Sequence, residues 1–223
     1  MAERPSGNCG LEEREVTPND YIQAARVPER LKPQAFGRWE IFRAWAHDSQ
    51  TVVGSFLFQE QVGFNSQTQL LAHTMATLHR KRGEVVMEDG ISELRKHLPI
   101  WLCAKGHVLV TGLGLGCVVR GLLASPDVEQ ITVVEIDADI LRVVGHEFRA
   151  NPHVRLVHGD AFKVQLPEKF DCAWHDLWTD GDTHLQVLHA KLLKRFRPKV
   201  RGVQGAWELP RYIKRQMPEW VLR

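Results

Sequence analysis

The chain has 223 residues, 43% of them apolar and 25% charged, which is the composition of a folded domain of ordinary size with a real core. No apolar stretch approaches the roughly 20 residues of a membrane helix, and the start Met1-Ala-Glu-Arg-Pro-Ser-Gly lacks the apolar segment of a secretory signal. Net charge is only +2, and the four cysteines (9, 103, 117, 172) form no Cys-x-x-Cys, so neither a zinc site nor a disulfide framework is indicated and a reduced, cytoplasmic setting is expected.

Residues 1–37 carry Pro5, Pro18, Pro28 and Pro33 among scattered charges and read as a loosely ordered arm, with a short helix around Tyr21–Arg26. A small strand-and-helix extension follows over 38–104. Trp39-Glu-Ile-Phe42 and Thr51–Phe58 are strand-like, being rich in β-branched and aromatic residues. Ser66 is placed to cap a helix reaching Arg80, with Leu70, Leu71, Thr74, Met75 and Leu78 on one face. Glu84–Met87 reads as a strand and Ile91–Ala104 as an amphipathic helix.

From residue 105 to the end the rhythm is strand, helix, strand. Strands are expected at 107–111, 130–135, 153–157 and 170–175, with helices at 116–124 and 138–148 and a short turn near 161–166. A helix over 182–196 and a fifth strand over 200–207 complete the pattern. This predicts an α/β, Rossmann-like, doubly wound and mostly parallel sheet joined by right-handed crossovers. Only 43 residues follow Asp180, so the C-terminal part of the sheet is expected to be short.

Four features fall at the ends of successive strands, and in an open α/β sheet that edge forms one crevice. The run His107-Val-Leu-Val-Thr breaks into glycines at 112, 114 and 116 before an apolar helix, a pattern that lets backbone approach a ligand closely. Glu135 ends the next strand, nineteen residues after Gly116, about where an acid reaches ribose hydroxyls. His158-Gly-Asp-Ala-Phe162 closes the third strand and Trp174-His-Asp176 the fourth. Together these point to a nucleoside-bearing cofactor. An NAD site would need Gly-x-Gly-x-x-Gly, and the third glycine position is Cys117. Asp137 doubles as an N-cap for 138–148, Asp160 could cap its own turn, and His175 reads as a structural histidine. No Walker or Gly-x-Ser-x-Gly segment is present.

The order of these motifs resembles class I S-adenosylmethionine-dependent methyltransferases, and within them the spermidine-synthase-like branch. The likeness spans Gly83 to Asp180 and includes Met87-Glu-Asp-Gly90, His97-Leu-Pro99 and Ser125-Pro-Asp-Val-Glu-Gln-Ile-Thr-Val-Val-Glu-Ile-Asp137. The resemblance implies that the backbone of Gly112, Leu113, Gly114 and Gly116 holds the methionine part of S-adenosylmethionine. Glu135, with Ile136 beside it, would take the ribose, Asp160 the adenine amino group, and Ala161 would offer its N–H to the ring. Asp176 would be the residue at the reacting centre.

The chain departs from spermidine synthases in several places. Leu115 replaces an aspartate, Glu93 a glutamine, and Asp176-Leu-Trp-Thr-Asp180 a polyamine gate. Methyl transfer therefore ranks above aminopropyl transfer from decarboxylated S-adenosylmethionine. A cofactor- or nucleic-acid-binding domain without turnover is the third reading. Residues 191–223 carry a net +8 and the remainder −6, which suits either a nucleic-acid-facing tail or a solvated helix face. The acceptor is a small molecule or a nucleic acid, no membrane is involved, and a homodimer is compatible with the sequence.

Overall fold

The computed structural model describes residues 16–45, 74–80, 85–177 and 185–207. They form two sheets. The first is antiparallel, in the order β1 (Gln34–Phe36), β2 (Trp39–Trp45), β3 (Thr74–Arg80) and β4 (Val85–Glu88). The second is parallel throughout. Its strands are β5 (Gly106–Thr111), β6 (Val128–Glu135), β7 (Val154–His158), β8 (Cys172–His175) and β9 (Gln204–Ala206), in the spatial order β7-β6-β5-β8-β9.

That order reverses at β5, so consecutive strands run outward from the centre in both directions and leave a crevice at the β5/β8 boundary. Val108, Leu109 and Val110 of β5 are wholly buried, as expected of a central parallel strand covered on both faces. One face packs Val108 and Val110 against α1 (Pro18–Ala25), α3 (Leu98–Trp101), α4 (Cys117–Leu123) and α5 (Ala138–Val143). The other packs Leu109, Val134 and Ala173 against Leu192 and Phe196 of α6 (Leu185–Phe196). The Rossmann-like sheet expected from the strand–helix rhythm is therefore present, with β9 as its short last strand.

Several expectations are corrected. The arm is not loose from Val16 onward. Thr17 caps α1 in a reciprocal box with Asp20, and Tyr21, Ile22 and Ala25 make a buried stripe that meets α4 and stacks Tyr21 on Trp101. Residues 1–15 lie outside the described residues, as do the expected strand 51–58 and the first part of the helix expected over 66–80.

The last part of that helix, 74–80, is strand β3. Thr74 and Leu78 share a helical face only in isolation; in the fold the segment pairs residue for residue with β2, from Trp39↔Arg80 to Trp45↔Thr74. Long-range pairing overrides a local period. The helix expected over 91–104 divides into α2 (Ile91–Arg95) and α3, because Pro99 has no N–H for an interior turn and is accommodated only in the first turn of a new helix. Helix 138–148 likewise tightens to a 3₁₀ turn over Gly145–Phe148.

Candidate functional site

Backbone hydrogen bonds align the strand ends side by side. Gly112 donates to the Val134 carbonyl (2.8 Å), Gly159 to Glu135 (2.9 Å), Asp176 to Thr111 (2.8 Å) and Trp207 to His175 (2.9 Å). The glycine turn, Glu135, the Gly159-Asp160 corner and Asp176 thus share one edge, as the sequence implied. The glycines serve the turn itself. Gly112 sits at φ 92, and a Cβ there would lie 2.2 Å from the Asp176 carbonyl oxygen, so this position couples the β5 and β8 ends. Gly116, at φ 81, begins α4 against the Phe148 ring.

The turn is held from both sides. Leu113 donates its N–H to Oε2 of Glu135 at 2.7 Å, and Leu115 donates to the Met87 sulfur at 3.1 Å. From behind, the buried Arg120 guanidinium donates to the Leu115 carbonyl (2.7 Å) and the Ala25 carbonyl (3.2 Å) and pairs with Glu147 (3.1 Å). Leu113 and Leu115 turn their side chains into the core, so Leu113 can face a ligand only through its main chain. Among the described residues, no group accepts from the N–H of Gly114.

Glu135 is buried with both carboxylate oxygens engaged, Oε2 by Leu113 and Oε1 by the Asp137 N–H at 2.8 Å. Each oxygen keeps a second lone pair for a hydroxyl donor. Burial pushes its pKa above the usual carboxylate range, the backbone N–H groups of Asp137 and Leu113 and, least, of Ile136 oppose that, and the Asp137 charge adds to it. Next to it, Ile136 leaves its side chain 59% exposed, an apolar surface beside the carboxylate.

Asp137 does cap α5, accepting from the N–H groups of Asp139 (2.9 Å) and Ile140 (3.2 Å). Its other oxygen accepts from Trp39 Nε1 (2.9 Å) and Arg38 (3.1 Å), which ties the antiparallel sheet to the parallel one. Partial burial pushes this carboxyl up, but those donors and the Arg38 charge leave it below its ordinary value.

Asp160 accepts the Phe162 N–H on Oδ1 at 2.8 Å and has Lys163 3.3 Å from Oδ2, so it does cap its turn and keeps acceptor capacity. Ala161 is buried, and none of the described residues accepts from its N–H.

On the β8 side, His175 is fully buried between Thr111 Oγ1 (3.0 Å from Nδ1) and Gln204 Nε2 (2.9 Å from Nε2). Burial first, then the neighbouring His189, pushes its pKa down to about 3, so it is a neutral structural histidine. Asp176 is different. Its carboxyl is buried and pushed up to about 8, chiefly by desolvation, then by the Glu93 charge, with Lys96 opposing and Glu135 adding. The imidazole Nε2 of His97 lies 3.9 Å from its Oδ2.

Sequence reasoning gave no role to three residues that close this end of the crevice. Trp207 at the end of β9 donates Nε1 to Glu93 at 2.5 Å, and Lys96 sits 4.5 Å over its ring while pairing with Glu93 at 2.9 Å. His97 stands behind Asp176. Only the likeness of His97-Leu-Pro99 to a family motif pointed at it, and that carried no chemistry.

Six of the ten basic residues of the 191–223 block lie in or just after the last turns of α6, which runs back to the amino edge of the sheet. They do not line the crevice. Lys199 and Arg195 donate to the Leu166 and Val164 carbonyls, and Arg201 pairs with Asp171. Trp178, Asp180 and the basic segment 211–223 lie outside the described residues.

No protein-family model matches the chain. Over 60 residues it is 40% identical to ribosomal RNA small subunit methyltransferase A of Pseudomonas putida, a stretch covering 27% of this chain and 22% of that protein. The chain thus matches about a fifth of the length of this curated relative.

Similar solved structures include an S-adenosylmethionine-dependent methyltransferase of Clostridium acetobutylicum (18% identity, 46% of this chain and 41% of that one, TM-score 0.36). A dimethyladenosine transferase of Plasmodium falciparum is 23% identical over 51% of this chain and 40% of its own, with a TM-score of 0.38. The N-methyltransferase NodS of Bradyrhizobium japonicum, solved with S-adenosyl-L-homocysteine, is 13% identical over 50% and 55%, with a TM-score of 0.38.

Proposed function

We propose that the chain is an S-adenosylmethionine-dependent methyltransferase, with its cofactor across the carboxyl ends of β5, β6 and β7 and its acceptor brought to Asp176. The observation that carries this reading is Glu135. A buried carboxylate is bound to the glycine turn by Leu113 and still has a free lone pair on each oxygen, which suits the two hydroxyls of a ribose.

The neighbouring groups fit the rest of a nucleoside. The exposed Ile136 offers an apolar face for a purine, the unpaired N–H of Ala161 a donor to its ring, and Asp160 Oδ2 an acceptor for its amino group. Gly114 would present its N–H to the methionine part. When bound, the cofactor supplies a methyl group on a sulfonium whose thioether is already a good leaving group. The chain is left to orient the acceptor and to keep water from the reacting atoms, and Asp176, Glu93 and Trp207 stand where that must happen.

The acceptor we favour is RNA, drawn from the name of the Pseudomonas putida protein that shares the 60-residue stretch. Aminopropyl transfer is the runner-up, supported by a second carboxyl, Glu93, whose charge acts on Asp176, and by the spermidine-synthase-like motifs. It is opposed by Leu115, which is buried where that branch has an aspartate.

Calorimetry separates these readings. Micromolar binding of S-adenosylmethionine or S-adenosylhomocysteine is expected, weakened by about 1.5–3 kcal/mol in Glu135→Ala and in Asp160→Ala, as for a lost hydrogen bond to a charged group. Preference for the decarboxylated form would move the assignment to aminopropyl transfer. No binding of either, with salt-sensitive binding to RNA, would replace both by the non-catalytic reading.

A further inference from the structure

His97 is fully buried, and neither of its ring nitrogens has a hydrogen-bond partner. It opens α3 without capping it. Its ring lies edge-on to Trp174 (6.0 Å between centroids, 83°) and tilted to Trp101 (5.6 Å), so two aromatic rings wall the imidazole without accepting or donating a hydrogen bond to it. Among the described residues, the charged group recorded beside it is Oδ2 of Asp176, 3.9 Å from Nε2. That distance is about 1 Å beyond a hydrogen bond, so the bond requires the carboxyl and the ring to approach.

The charges around Asp176 come from every element packed on it. Glu93 and Lys96 face it from α2 and the turn after it, and Glu135 from the end of β6; the Cys117 thiol of α4 is also coupled to it. The single cation in this set, Lys96, is already paired with Glu93 at 2.9 Å and lies on the Trp207 ring. Among the described residues, no further cation acts on Asp176 to neutralise a second carboxylate here.

We infer that Asp176 carries a proton on Oδ2 and donates it to Nε2 of His97, so that His97 is the positioning residue that holds the carboxyl with Oδ1 turned to the crevice. Asp176 then meets an acceptor as a neutral acid whose Oδ1 orients an N–H or O–H, and it does not serve as a base. The directions of both groups agree: burial, then Lys96, pushes the imidazole down to about 3, and the carboxyl is pushed up to about 8. Between those values the pair holds one proton, on oxygen. The part about the acceptor rests on the methyltransferase reading; the one-proton pair does not.

The test is NMR on ligand-free protein labelled with ¹³C-carboxyl aspartate and ¹⁵N-histidine, with Asp176→Asn used to assign the Asp176 signal. Asp176 should titrate near pH 8 rather than near 4, with the His97 ring nitrogens moving at the same midpoint and Nε2 unprotonated below it. His97→Phe fits the aromatic wall but removes the acceptor, and should lower the Asp176 midpoint by about one pH unit, a tenfold loss of proton affinity. His97→Gln restores an acceptor oxygen and should bring the midpoint back. A merely structural role would leave that midpoint where it was.

Titration of Asp176 near 4, a His97 ring protonated at neutral pH, or an unchanged midpoint in His97→Phe overturns the inference. Should the phenylalanine variant not fold, the parent's joint titration and the glutamine variant decide. Calorimetry with S-adenosylhomocysteine on the same samples keeps the two claims apart. Binding without the joint titration removes the pair and leaves the methyltransferase reading, and the titration without binding does the reverse.

Discussion

The two halves of the crevice treat their polar groups in opposite ways. On the β5–β6–β7 side, Glu135, Asp137 and Asp160 each accept backbone N–H groups from the turns beside them, so the acids are also the fasteners of those turns. On the β8 side, the side chains of His97 and Trp174 are buried with polar atoms unpartnered, and Asp176 is buried with its nearby cation, Lys96, already paired with Glu93. Satisfied buried groups rigidify a site, whereas unsatisfied ones are costly unless a proton or a ligand completes them. The first half is built before anything binds. The second is held in a state that depends on protonation.

This contrast is open to attack by mutation. The largest effect is expected at the joint between the halves. Gly112→Ala must adopt φ near 92 and place a methyl 2.2 Å from the Asp176 carbonyl oxygen, a backbone atom that cannot swing aside. Strain and overpacking together should remove about 3–5 kcal/mol, read from urea unfolding. A loss under about 1 kcal/mol would mean that the two strand ends are not coupled there.

Glu135→Ala comes next, because it strands the N–H groups of Leu113 and Asp137 and should lower stability by about 2–4 kcal/mol at neutral pH. Glu135→Gln, which keeps one acceptor oxygen, should lose about half as much. Equal losses in the two variants would show that the carboxylate is not the fastener.

Asp176→Asn should behave in the opposite way. The folded pKa of Asp176 is raised above its unfolded value, so its contribution is fully present below about pH 4 and is lost as pH rises toward about 8. The asparagine variant, which cannot ionise, should match the parent below about pH 4 and become progressively the more stable protein as pH rises from there toward about 8. The advantage should grow by at most about 1.4 kcal/mol per pH unit over that window. Thermal unfolding from pH 4 to 9 measures it, and parallel curves for the two proteins would refute it.

The smallest effect is expected at Asp137→Ala. Loss of the α5 N-cap and of the Trp39 bond should cost about 1 kcal/mol, visible as a shift in urea midpoint with an unchanged slope.

How far the chain could be read in advance differs between these regions. Gly112–Gly116, Glu135, Asp160 and Asp176 were legible because each ends an apolar run, and a parallel sheet puts all such ends on one edge. The N-terminal part was read less well. The stripe Tyr21, Ile22 and Ala25 is too short to announce a docked helix, and Thr74–Arg80 has a helical spacing that β2 overrides by pairing. The basic block looked like a candidate binding face, yet the run of α6 carries six of its ten charges away from the crevice.

By itself the amino-acid sequence determined the strand–helix alternation, the parallel sheet and the line of polar residues along its carboxyl edge, because these follow from local periodicity and chain direction. Only the tertiary structure decided which of those polar residues are fastened and which are stranded. His97 is buried by Trp101 from its own helix and by Trp174 from a remote strand, and Asp176 keeps its proton because Glu93, Glu135 and the core converge on it. Protonation depends on desolvation and on charges from distant segments, and those neighbours exist only once the chain has folded.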